Sequence, residues 1–120
     1  MADHTNNPVP DQLTLPAAQA HMLAQCSAFG WDTHSNEKAF LLFIEEVGEL
    51  AKAMRRALSL QIEQNNPAKP ILTEAQVQAN LVEEFADVLN YVLDLANRFG
   101  VDLEAAYRDS YARHMQRRWK

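Results

Sequence analysis

Apolar residues recur three and four positions apart along most of this chain, and no stretch alternates apolar and polar positions over the length of a strand. The longest stripe, Phe40, Phe43, Ile44, Val47, Leu50, Ala51, Met54 and Leu58, predicts a helix from about Glu37 to Leu60 with buried surface along it. An earlier helix is predicted to start with Thr14 as N-cap, to tolerate Pro16 in its first turn, and to end where Gly30 follows Phe29. Trp31 to Asn36 is then a loop. The stretch Gln61 to Leu72, with Asn65, Asn66, Pro67 and Pro70, breaks the second helix and forms the longest internal linker. Thr73 and Gln76 have the spacing of a capping box for a third helix, which carries Val77, Leu81, Val88 and Leu95 and stops at Gly100. Asp102 caps a fourth, which sets Leu103, Ala106, Tyr107, Ser110, Tyr111, His114 and Met115 on one side. The expectation is an all-α four-helix bundle. It comprises a flexible polar tail over residues 1–12, which holds Pro8 and Pro10, and a single helical domain over 13–120.

Two acidic signatures interrupt this pattern, Glu45-Glu46-Val47-Gly48-Glu49 and Glu83-Glu84-Phe85-Ala86-Asp87. Residues three apart on a helix share a face, so Glu46 with Glu49, and Glu84 with Asp87, each make a two-pronged oxygen clamp. A solvated acidic face normally carries Lys or Arg one turn on. Here the positions four after Glu45, Glu46, Glu49, Glu84 and Asp87 are Glu49, Leu50, Ala53, Val88 and Tyr91, and only Glu49 has a basic neighbour, Lys52, at i+3. On the third helix Asn80, Glu84, Asp87, Tyr91 and Asp94 fall within one quadrant beside the apolar stripe. Carboxylates gathered at ~4 Å repel by about 4 kcal/mol per pair at an effective dielectric of ~20, so such a cluster takes up protons or a cation. With no Cys or His among them, the donors suit Mg²⁺ or Mn²⁺ rather than Zn²⁺. Gly48 is unfavourable inside a helix by roughly 1 kcal/mol relative to Ala, which suggests a close neighbour at that point of the backbone.

Composition narrows the function classes. At 120 residues and 48% hydrophobic content the chain fits one domain with a modest core. A formal net charge of −5 leaves no broad basic face for duplex nucleic acid, so an anionic substrate would be a small molecule met by metal and local Arg or Lys. The single Cys26 makes no internal disulfide and reads as a core residue in a reducing compartment. No apolar run approaches a membrane span, so the expected location is cytoplasmic. The long stripes on helices two and three are expected to be covered in a homodimer or homotetramer.

The paired segments Phe43-Ile44-Glu45-Glu46-Val47-Gly48-Glu49-Leu50-Ala51 and Glu83-Glu84-Phe85-Ala86-Asp87-Val88-Leu89-Asn90-Tyr91 resemble the signature of the MazG-like all-α nucleoside triphosphate pyrophosphohydrolases. That signature is Glu-Glu-x-x-Glu followed, after a variable linker, by Glu-x-x-Asp, and the likeness covers most of Trp31 to Trp119. The resemblance implies Mg²⁺- or Mn²⁺-dependent hydrolysis of a nucleoside or deoxynucleoside triphosphate to monophosphate and pyrophosphate, as nucleotide-pool house-cleaning. By position it implies Glu46, Glu49, Glu84 and Asp87 as metal ligands, with Glu45 and Glu46 as the acids of the chemistry. Glu45 would bind a further ion or take a proton from water. Arg56, two turns past Glu49, is placed to meet the phosphate tail, ahead of Lys52 and Arg55.

The loop Trp31-Asp32-Thr33-His34 resembles the segment before the first motif in the MazG-like deoxycytidine triphosphatases, where an aromatic ring lies against the base. Trp31 either stacks there or caps the core after Gly30; Tyr91 either approaches the base or packs. Arg113, Arg117, Arg118 and Lys120 make the last helix end basic, which suits the helix dipole and also suits an Arg reaching substrate phosphate. Many relatives carry Lys, then Asn four residues later, then Arg in this region. The chain has Tyr111, Met115 and Arg118 in that register, or Ser110, His114 and Arg117 one residue earlier. Neither set contains the Lys or the Asn. Two other functions fit the same residues: a non-catalytic nucleotide-binding helical regulator, and a phosphoribosyl-ATP pyrophosphohydrolase. An intact set of carboxylates favours the enzyme over the regulator, and the Trp31 loop and Glu45-Glu46 doublet fit the phosphoribosyl-ATP enzyme less well.

Overall fold

The computed structural model describes residues 7–58 and 72–118. Its regular elements are α1 (Leu15–Phe29), a short 3₁₀ turn (Trp31–Thr33), α2 (Asn36–Ala57), α3 (Glu74–Arg98) and α4 (Leu103–Arg118), with no strand among the described residues. The boundaries follow from local chemistry. Thr14 Oγ1 accepts from the Ala17 N–H, and Pro16 sits in the first turn where its missing N–H costs nothing. Gly30 closes α1 at φ 76°, a left-handed conformation that only glycine adopts without strain. Thr73 and Gln76 cap each other reciprocally, 2.9 and 3.1 Å, as the spacing predicts. At the other end of α3, Gly100 at φ 66° lets the Val101 N–H bond back to Ala96 O at 2.8 Å. Asp102 Oδ1 receives the Ala105 N–H and opens α4. α2 begins one residue before the predicted Glu37, because the Ser35 hydroxyl caps it by accepting from the Lys38 N–H. The predicted end of that helix at Leu60 and the linker from Gln61 lie, up to residue 71, outside the described residues.

The chain divides into two compact units. One is built from residues up to Ala39 and from Val92 onward, and its core is Met22, Cys26 and Leu93 with Ala18 and Leu103 packed against them. A buried polar side chain ties this unit together. Gln19 Nε2 donates to Val101 O at 2.8 Å and to Asn97 Oδ1 at 3.2 Å, while its Oε1 accepts the Leu103 N–H at 3.0 Å. Asn97 Nδ2 returns a bond to Gln19 O at 2.9 Å, so the amide groups of both side chains have partners. Within the stretch expected to be a flexible tail, Asn7 is bonded to α1: its Nδ2 donates to Gln25 Oε1 at 2.9 Å and its O lies 2.9 Å from His21 Nε2.

The other unit, Phe40–Tyr91, holds most of α2 and the first two-thirds of α3. The two segments run in opposite senses, since Arg56 meets Asn80 while Glu46, earlier on α2, meets Glu84 and Asp87, later on α3. Ala53 is buried in this unit. The predicted buried stripe is corrected here: Phe40, Ile44, Val47, Met54 and Leu58 are exposed, as are Val82, Phe85 and Leu89 on α3. A helical period shows that one face is apolar but not that the same chain covers it.

Candidate metal centre

The helical period brings Glu84 and Asp87 onto one face of α3, and the pairing of α3 with α2 adds Glu46. One oxygen from each of these carboxylates lies within 4.8 Å of the others, and all the side chains are half-buried. Glu84 Oε2 is buried and has no hydrogen-bond partner. A carboxylate oxygen shut away from water without a donor is costly unless a proton or a cation reaches it. Glu46 responds to the same conflict. Its pKa is raised above the ordinary 4.5, first by burial, then by the charges of Asp87, Glu84 and Glu49, and by a hydrogen bond with Glu84 that only a protonated carboxyl can make. Hard oxygen donors, an orphaned oxygen and mutual repulsion together fit a divalent cation of the Mg²⁺ or Mn²⁺ kind.

The remaining predicted residues are placed as follows. Glu49 does not join the converging group; it is exposed and acts on Glu46 only through its charge. Glu45 is exposed, as are Lys52, Arg113 and Arg117. Arg56 is half-buried and donates from Nη1 to Asn80 Oδ1 at 3.4 Å. Tyr91 is half-buried. Gly48 is solvent-facing, and among the described residues a Cβ built there would meet nothing within 4 Å.

Trp31 is 43% exposed and stacks on Phe29, ring centroids 4.8 Å apart at 16°. Its ring is therefore partly open to solvent. The corner around it is held by Arg98, which the sequence reading did not single out. That guanidinium pairs with Asp94 through Nε at 3.1 Å and donates to Trp31 O at 3.0 Å and His34 O at 2.6 Å. Arg98 and Asp94 side chains are 11% and 14% exposed, so the pair is largely withdrawn from water and offset by carbonyl acceptors. Asn80, one turn before Glu84, lies on the inward quadrant by its period, and its i,i+4 spacing to Glu84 is the sequence signal for a contact with the cluster.

The model of the MazG nucleotide pyrophosphohydrolase domain matches residues 34–120, well over half of the chain, with both acidic signatures inside the match. The chain belongs to the MazG nucleotide pyrophosphohydrolase domain family. Uncharacterized protein YvdC of Bacillus subtilis (strain 168) is similar: it is 32% identical over 75 residues, which span 62% of this chain and 68% of YvdC. The all-helical architecture is that of a MazG domain. Membership makes the chain a nucleotide pyrophosphohydrolase domain by family, and its acidic cluster is compatible with a metal-dependent hydrolase. No helix among the described residues is long and apolar enough to cross a membrane.

Proposed function

We propose that this MazG domain hydrolyses a nucleoside or deoxynucleoside triphosphate at the α-phosphorus, releasing the monophosphate and pyrophosphate, with Mg²⁺ or Mn²⁺ at Glu46, Glu84 and Asp87. The observation that carries the proposal is the convergence of these three carboxylates, one of which, Glu84, has a buried oxygen with no hydrogen-bond partner. When bound, the cation supplies charge neutralisation at phosphate oxygens and acidifies a water for attack. Glu46, a ligand in this proposal, gives up to the incoming cation the proton that burial and its acidic neighbours favour in the metal-free protein. Glu49, exposed on α2 one turn beyond Glu46, is assigned as the further ligand, and Glu45 as the acid that takes a proton or serves a further ion. Lys52 and Arg56, in the same unit as the carboxylates, are the cations assigned to the triphosphate, and Tyr91 of that unit is assigned to the base.

The biological role proposed is removal of unwanted nucleotides in the cytoplasm by a homo-oligomer. The exposed apolar faces of α2 and α3 support the oligomer. The test is to incubate the protein with Mg²⁺ and a panel of common and modified nucleoside triphosphates, resolving pyrophosphate from orthophosphate. Pyrophosphate with a monophosphate is expected from at least one member of the panel. Orthophosphate release, or nucleotide binding without turnover, would overturn the reaction and leave a regulator.

A further inference from the structure

On α3, Asn80 stands one turn before Glu84, half-buried, with its Nδ2 3.5 Å from Glu84 Oε1. On α2, Arg56 Nη1 lies 3.4 Å from Asn80 Oδ1. A guanidinium offers donors only and stays charged, so the Asn80 atom facing it must be the amide oxygen. That choice fixes the other end. The amide nitrogen is turned toward Glu84, where it covers Oε1 and leaves Oε2 as the oxygen without a donor. At these lengths the contacts direct the side chains more than they bind them.

We propose that Asn80 is a positioning residue for the metal centre, set by Arg56, which holds the Glu84 carboxylate by one oxygen and presents the other to the cation. The inference rests on the reading of Glu46, Glu84 and Asp87 as a cation site. Ligating carboxylates are commonly fixed by an outer hydrogen bond, and losing that partner typically weakens metal binding by ~10- to 100-fold. The neutral amide has a second consequence. Were Arg56 in direct contact with Glu84, it would neutralise the carboxylate and compete with the cation. Through Asn80 the orientation is passed on while the guanidinium is kept one side chain away.

Mn²⁺ binding measured by calorimetry and by the electron paramagnetic resonance of free Mn²⁺ tests this without any assay of turnover. Asn80→Leu, near-isosteric but without a donor, is expected to weaken Mn²⁺ by ~10- to 100-fold, while the metal-free melting temperature falls by less than ~4 °C. Arg56→Met is decisive by its sign. Removing a positive charge near the site would tighten Mn²⁺ on Coulombic grounds, whereas loss of the fixed amide weakens it, and weakening is expected. The double variant should bind no worse than Asn80→Leu alone, because both changes act through one contact. Wild-type affinity in Asn80→Leu, tighter binding in Arg56→Met, or additive losses would each overturn the proposal. Should the leucine variant not fold, Asn80→Ala carries the same expectation and the same refutation. Failure of the wild-type protein to bind Mn²⁺ would instead remove the cation site itself.

Discussion

Glu46 shows how a single side chain reports the chemistry around it. Burial and three like-charged neighbours raise its pKa, so the folded state holds a proton that the unfolded chain releases near 4.5. The stability tied to that proton is complete below 4.5 and is lost as pH rises through the higher folded value. Divalent cation binds the ionised form, so stabilisation by Mg²⁺ should grow over the same interval. Thermal melts with and without Mg²⁺ from pH 4 upward check this, and a Mg²⁺ shift that is constant with pH would contradict it. Asp87→Asn removes one charge from the cluster with little change of volume. It is expected to lower pyrophosphohydrolase turnover by on the order of 10²–10³-fold, the scale of losing one preorganised charge-stabilising group, and to raise the metal-free melting temperature as repulsion falls. Unchanged activity with unchanged Mg²⁺ stabilisation would refute the role of Asp87. Cys26, by contrast, has its thiol pushed up to about 11 by burial and by Asp94, whose Oδ1 accepts its S–H at 3.6 Å. It is a core group and no nucleophile.

At the scale of elements, the helices are closed by their own caps but joined by long-range polar bonds. Gln19 on α1 supplies partners to Val101 and Leu103 at the start of α4 and to Asn97 at the end of α3. The Leu103 N–H is one of the orphan donors of a helix N-terminus, and Gln19 satisfies it from a different element. Gln19→Leu would fill the space while stranding that donor and the Val101 carbonyl. At ~1–3 kcal/mol per stranded group, a loss of about 3 kcal/mol and a drop of ~10 °C in Tm are expected. A variant that melts within ~2 °C of wild type would show that water replaces the amide without penalty. Arg98 does for the Trp31 corner what Gln19 does for α4, donating to the His34 carbonyl and adding a second donor to the Trp31 carbonyl, which also accepts the His34 N–H.

At the scale of the whole molecule, the apolar faces of α2 and α3 call for cover. Phe40 is 52% exposed, Leu41 65% and Phe85 54%, well beyond the scattered apolar residues of an ordinary surface. Association through these faces should give at least a dimer at micromolar concentration by light scattering, with a melting temperature that rises with concentration. Leu41→Asp should shift the population toward monomer. A strictly monomeric, fully active wild-type protein would show that one chain suffices.

What the sequence by itself determined is what local geometry determines. Thr14, Gly30, the Thr73 and Gln76 pair, Gly100 and Asp102 set helix ends through bonds spanning a few residues, and those ends are found where expected. The spacing of Glu84 and Asp87 fixed their shared face for the same reason, since 3.6 residues per turn leaves no choice. The tertiary structure decided what a period cannot carry. It brought Glu46 of α2 to Glu84 and Asp87, coupled Arg56 to Asn80 across 24 residues of chain, and joined Gln19 to Leu103 across 84. It also left Ile44, Met54 and Leu58 uncovered by the described residues of their own chain, where the stripe alone reads as buried. The rotation and slide of one helix against another are set by the sum of side-chain packing along their length, which no single residue encodes. A helical face is therefore legible from sequence, and the carboxylates and apolar groups that meet across it are not.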